Sequence, residues 1–214
     1  MHLDHRDQRR SGQFTTCLAS RSFVTNQPSP THIVSSSLCS LGQVHDNIVT
    51  GCSHHALDFD AYTSSSAAWS NLIESCGLGP DGSGYGQGIF VEESASGNFI
   101  FNNTVRNNSN GIEVYSNVVG PVISNIFAAN VVEKNTRYGI TSGGVGNETK
   151  STHAESNIFV ANHASDNGMA AFEVNHGHVE KDYWVSNTAS EGDEVWELKN
   201  GDLQSSANVS VFEP

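Results

Sequence analysis

Asp58 and Asp60 in LDFDAY, Glu92 in IFVEES and Glu113 in GIEVYS are carboxyl groups set into alternating apolar runs. In a strand, each would project to the side opposite its apolar neighbours. Paired carboxyls do acid/base work at a glycosidic bond, about 5 Å apart in retaining sites and about 6.5–9.5 Å apart in inverting ones. If the runs stack as neighbouring parallel strands, Asp60 and Glu92 stand about 5 Å apart, and Asp58 and Glu113, two strands apart, about 10 Å. Repulsion then favours one proton held between Asp60 and Glu92. The expected roles follow: Asp58 orients or activates the attacking oxygen, Glu92 carries the proton to the leaving sugar oxygen, Asp60 raises the Glu92 pKa, and Glu113 extends the acidic groove.

The surroundings fit that chemistry. HHALDFDAYTSSSAAW brings His54, His55, Tyr62 and Trp69 into the same stretch, and GLGPDGSGYGQGIFVEE adds Asp81, Tyr85, Gln87 and Glu93. Trp69 and Tyr85 are candidate platforms for the apolar side of a sugar; Tyr62, Gln87 and Tyr115 are further candidate substrate-binding groups, and His54 or His55 a proton relay. The plain alternative is that alternating acids serve solubility and the histidines fill turns. Calcium is the cation that Asp58, Asp60 and Glu92 would take, being hard oxygen ligands; no other cofactor is called for. DGSGYG lacks the GK[ST] ending of a phosphate loop, and no CxxC-type set suggests structural zinc.

These residues must be positioned by a repeat. DNIVTGC, SNLIESC, GNFIFNN, SNIFAAN, SNIFVAN and KDYWVSN carry anchors at Asn47, Asn71, Asn98, Asn125, Asn157 and Asp182, 24 to 32 residues apart. Such spacing is the mark of a solenoid. Five residues after each anchor stand Cys52, Cys76, Asn103, Asn130, Asn162 and Asn187. This column is expected at the corner of a parallel β-helix, where stacked amides bond along the ladder. Two apolar columns accompany it: Val49, Ile73, Ile100, Phe127, Phe159, Trp184, and Leu57, Ile89, Ile112, Ile140, Phe172, Trp196. The second opens the longer strand of each coil, whose outward rows are Asp58, Phe90, Glu113, Thr141, Glu173, Glu197 and Asp60, Glu92, Tyr115, Gly143, Asn175, Lys199. No apolar stripe at helical spacing persists. The expected fold is all-β, a right-handed parallel β-helix solenoid of about six coils, spanning residues 46–214. Residues 1–45 form an irregular N-terminal segment, a cap and first coil.

The net charge of −13, from 23 acidic and 10 basic residues, opposes nucleic acid and anionic membranes as partners. No run is apolar enough for a membrane span or signal peptide. Of the four cysteines, Cys52 and Cys76 share a column, and a strand spacing of about 4.8 Å suggests reduced, packed thiols. Sequons occur at Asn102, Asn107, Asn147 and Asn208.

The repeats GNFIFNNTVRNNSNGIEV and SNIFAANVVEKNTRYGIT resemble the right-handed parallel β-helix superfamily of pectate lyases, polygalacturonases and mannuronate epimerases, over roughly residues 46–198. The resemblance implies a carbohydrate-active or carbohydrate-binding protein, with an oligo- or polysaccharide as partner and an extracellular or cell-surface location. The paired-aspartate motifs of polygalacturonases, the Asp-Pro-His motif of epimerases and the calcium-plus-basic pattern of pectate lyases are not matched, so the subfamily is open. Glycoside hydrolysis or intramolecular glycosyl transfer fits the acidic row best. The alternatives are a lyase or epimerase, or a noncatalytic glycan-binding or structural β-helix. A second copy of the chain is a candidate cover for the open solenoid ends.

Overall fold

The computed structural model describes residues 18–20, 23–25, 32–35, 41–78, 86–116, 120–144, 153–175, 178–190, 197–198 and 208–212. For 18–20, 23–25, 32–35, 175, 178, 180, 197–198 and 208–212 it describes the backbone alone. Every paired strand among them runs parallel to its neighbours, and the chain is a β-solenoid with three sheets. Two faces belong to one sheet that folds back at Tyr183–Ser190, which pairs with Ile158–Val160 through its first half and with His163–Ser165 through its second. The third face stacks His32–Ser35, His55–Phe59, Gln87–Glu92, Asn110–Ser116, Tyr138–Gly144, Ala170–Asn175 and Glu197–Leu198. A separate three-strand sheet, Val122–Ile123, His153–Glu155 and His178–Glu180, packs beside the long-strand face. Strands within the first 45 residues join the solenoid, with Leu18–Ser20 pairing Gln43–His45.

The solenoid makes about four complete turns, not six. Between His55–Phe59 and Ala170–Asn175, four successive parallel pairings close four turns, and the strands beyond them border residues outside the described set. One coil carries up to three ladder positions, five residues apart. Asn98, Asn103 and Asn108 all belong to one coil and stand in three separate ladders.

The anchor alignment is therefore corrected by one corner. Asn47 pairs with Asn71, and Asn71 with Asn103 rather than Asn98. That ladder continues through Asn130, Asn162 and Asn187. A second runs Ser66, Asn98, Asn125, Asn157, Asp182, and a third Cys76, Asn108, Asn135, Asn167. The apolar columns divide likewise: Ile73 pairs with Val105, and Ile100 with Ala68 and Phe127. The long-strand column Leu57, Ile89, Ile112, Ile140 and Phe172 stands in one register as expected; Trp196 lies outside the described residues.

Each rung has the same chemistry. A buried Asn side-chain oxygen accepts the backbone N–H and the amide of the Asn one turn earlier, while its own amide also donates to a carbonyl of the earlier coil, as Asn130 does to Ile100 at 3.0 Å. The residue before each rung of the long ladder takes a left-handed turn: Asp46, Ser70, Asn102, Ala129, Ala161 and Ser186 have φ between 51° and 56°. Such φ is costly for residues other than glycine, and the fully paired rung offsets that cost. Asn130→Leu leaves the backbone and amide donors of Asn103 without their acceptor, so a loss of about 1–3 kcal/mol is expected in urea denaturation, against an unchanged Cα trace elsewhere.

The core lies inside the three faces. Leu57, Phe59, Ile89, Val91, Ile112, Val114, Phe172 and Val174 are all buried. Toward the C-terminal end it becomes aromatic, with Phe127 stacked on Phe159 at 4.8 Å and Phe159 on Trp184 at 3.8 Å. Cys52 and Cys76 form a disulfide with Cα atoms 4.4 Å apart, which corrects the expectation of free thiols. Stacked corner positions reach the short end of the distances that a disulfide bridges, and facing Cβ vectors suffice. No helix among the described residues is long and apolar enough to cross a membrane.

Candidate functional site

The outward rows of the long-strand sheet stand in the expected register. Asp58 pairs with Phe90, Phe90 with Glu113, Glu113 with Thr141 and Thr141 with Glu173, while Tyr115 pairs with Glu92 on one side and Gly143 on the other. This face is not an open acidic surface. Asp58 is 2% exposed, and Phe90, Thr141 and Glu173 are buried too, which removes the solubility reading for Asp58 and Glu173. Asp60, Glu92, Glu93, Glu113 and Tyr115 are half-buried.

Asp58, Asp60, Glu93 and Glu113 all act on Glu92. Burial, then the charges of Asp58, Asp60, Glu93 and Glu113, push the Glu92 pKa up to about 8. Glu92 therefore holds its proton at neutral pH. Burial also raises Glu93, with help from the charges of Asp60 and Asp58. Asp60 sits just past its strand, its Oδ1 accepting the N–H of Ala61.

Glu113 is held differently. Its Oε2 accepts Nε2 of Gln87 at 2.5 Å and Nδ2 of Asn110 at 2.8 Å. Burial raises its pKa, while these two amides and the Arg137 charge lower it. Gln87 thus clamps a carboxyl, and Asn110 and Arg137 are partners that sequence reasoning missed. The signal for Asn110 was legible in its pairing with Gln87 one coil back. The oxygens of both amides, Gln87 Oε1 and Asn110 Oδ1, are buried with no hydrogen-bond partner among the described residues. Tyr115 is raised by burial and then by Glu113.

The histidines enter the same face. His55 stacks on Phe90 at 4.6 Å, its Nδ1 accepting the Gln87 N–H at 3.3 Å, and His54 meets His55 edge-on at 3.7 Å. Tyr62 is 60% exposed on the turn leaving the acidic strands, its N–H bonded to the Glu93 carbonyl. Trp69 is not brought to the site. It lies in the strand Ala67–Trp69 of another sheet, stacked between His45 at 4.3 Å and Phe101 at 5.7 Å, so protein rings occupy the faces that a sugar would need. Tyr85 and Asp81 lie outside the described residues. No group of three or more His, Cys, Asp or Glu among the described residues is disposed to hold a metal ion, so Asp58, Asp60 and Glu92 do not form the expected calcium cradle.

Residues 39–128 match the family described as right handed beta helix region. The fold is a right-handed parallel β-helix. The matched stretch contains the strands that carry Asp58, Gln87, Glu92, Asn110 and Glu113, so the site lies in the part of the chain with the family match. No curated protein and no solved structure matches the chain. The fold is consistent with carbohydrate-active enzymes in general, and a fold hosts many functions, so the reaction must be argued from the site.

Proposed function

We propose that this β-helix is a carbohydrate-active enzyme acting on a neutral glycan by hydrolysis or intramolecular glycosyl transfer. The observation that carries the reading is Glu92, a half-buried carboxyl that stays protonated at neutral pH among four other carboxyls. It is the general acid, giving its proton to the leaving sugar oxygen. Asp60, the half-buried neighbour, is the carboxylate that meets the attacking oxygen. Asp58, being buried, acts through its charge on Glu92 rather than by touching substrate, and is a positioning residue. Tyr62 offers an exposed ring at the edge as a platform for a sugar. The face has more acid than base, which disfavours a uronate polymer and a lyase needing positive charge at its enolate. The Cys52–Cys76 disulfide supports an oxidising, extracellular location.

The test is a panel of neutral and acidic glycans, assayed for new reducing ends, unsaturated products and rearranged linkages. New reducing ends or rearranged linkages on neutral glycans are expected. Unsaturated products would transfer the site to a lyase. The burial of Asp58 and the clamping of Glu113 favour a second reading, a glycan-binding module with a rigid acidic face, and binding without any product would establish it.

A further inference from the structure

We propose that this chain self-associates through one side face of the solenoid, as a weak two-fold dimer whose two solenoid axes run antiparallel. The face is the run of paired strands from Gln43–His45 to the first half of Tyr183–Ser190. The middle residue of each strand, from Val44 to Trp184, is buried, so the residues on either side of it point outward. Those outward positions hold no Asp, Glu, Lys or Arg. Phe99, Tyr183 and Val185 are 41%, 50% and 41% exposed there, and Trp69 and Phe101 are half-buried. The corners along one edge, Ser65, Gly97, Ser124 and Ser156, are all small, so the apolar strip stands clear of them.

The occupant is a second copy of the chain. At a net charge of −13 two copies repel each other, and the repulsion is weakest where neither presents an ionised side chain. Among the described residues the other faces do present them: Glu92 on the long strands, Glu74 and Glu133 on the other half of the folded sheet, and Glu155 on the three-strand sheet. A sugar finds the ring faces taken, His45 lying on Trp69 at 4.3 Å and Phe99 on Phe101 at 4.4 Å, and an anionic membrane is repelled by the same net charge. Strands about 4.8 Å apart and five residues between corners make a face of about 24 by 16 Å. Two copies pressed together bury on the order of 1,000 Å2, the size of a weak, concentration-dependent dimer.

Side-chain size chooses the orientation. Phe99 and Ile126 share one outward column, and Trp69, Phe101, Ala128 and Val160 share the other. A two-fold axis lying along the strands, between Phe99–Phe101 and Ile126–Ala128, sets Phe99 on Ile126, Phe101 on Ala128 and Trp69 on Val160 of the second copy. Large meets small at each of these contacts, which is the self-complementarity that an isologous interface requires. An axis along the solenoid would set Phe99 on Phe101 of the second copy and hold the rest of the face apart. The surface is a side of the solenoid rather than its open ends, and it does not depend on the glycan reading.

Sedimentation velocity of the full chain from about 10 μM to about 1 mM, the range in which a face of this size associates, tests this. A monomer–dimer equilibrium is expected in the wild type, tighter at high salt because screening removes the like-charge repulsion, a readout that needs no variant to fold. Phe99→Lys and Ile126→Glu should each weaken the dimer at least about tenfold with the far-UV spectrum unchanged. An equimolar mixture of the two variants should dimerise again, because the antiparallel contact sets the new cation of one chain against the new carboxylate of the other. A monomer at every concentration, a dimer loosened by salt, association unchanged in either variant, or no recovery in the mixture would overturn the proposal.

Discussion

Glu92→Gln should lower turnover on the glycan found in the panel by at least about a hundredfold while leaving the far-UV spectrum and melting curve intact. Gln keeps the shape and cannot give up a proton. In the wild type the reaction needs Glu92 protonated, so the rate should fall as pH rises through about 8, the value to which burial and the four neighbouring carboxyls push this group. Asp58→Asn and Asp60→Asn each remove a charge that raises Glu92, so both should move the alkaline limb to lower pH without abolishing it, because burial is the larger cause. Asp60→Asn should in addition lower the rate at every pH. Full activity in both Glu92→Gln and Asp60→Asn would reject the site, and an alkaline limb unmoved in Asp58→Asn would reject the electrostatic role of that residue.

Asp182→Asn should stabilise the protein near neutral pH by on the order of 3 kcal/mol and remove a pH dependence. Asp182 ends a ladder of asparagines, its Oδ1 accepting the N–H and amide of Asn157 at 2.8 and 3.2 Å and its Oδ2 the hydroxyl of Ser142 at 2.6 Å. Burial pushes its pKa from 3.8 to about 6, against these hydrogen bonds. A carboxyl raised by folding favours the protonated state in the native protein, so its contribution is fully present below about pH 4, is lost as pH rises through about 6, and stays lost above. The span of about two pH units corresponds to about 3 kcal/mol. The substituted amide keeps an acceptor for Asn157 and offers a donor to Ser142, and it is neutral at every pH. Denaturant unfolding of both proteins at pH 4 and pH 7 measures the difference, and subtraction cancels the other acids, Glu92 among them. A variant no more stable than wild type at pH 7 would show that the ionised carboxyl is well solvated.

The slipped ladder explains how far sequence reasoning reaches here. With ladder asparagines at 98, 103 and 108, a shift of five residues still sets Asn on Asn, so side-chain type alone cannot choose the register. Only backbone closure chooses it. The long strands had no such ambiguity, because Leu57, Ile89, Ile112, Ile140 and Phe172 alternate with polar residues and a slip would turn the acids into the core. That is why the outward row Asp58, Phe90, Glu113, Thr141 and Glu173 was legible.

The amino-acid sequence by itself determined the parallel solenoid, the inward column of the long strands and the clustering of Asp58, Asp60, Glu92 and Glu113, since period and alternation are local properties of the chain. Tertiary structure alone decided four things. Trp69 faces another sheet, because the face a strand occupies depends on where the coil turns. Asp58 is buried and Glu92 protonated, because burial is set by all the neighbours together. Glu113 is clamped by Gln87 and Asn110, residues that approach it from different strands. Cys52 and Cys76 are joined because facing Cβ vectors are a matter of coil geometry that no spacing of residues along one chain encodes.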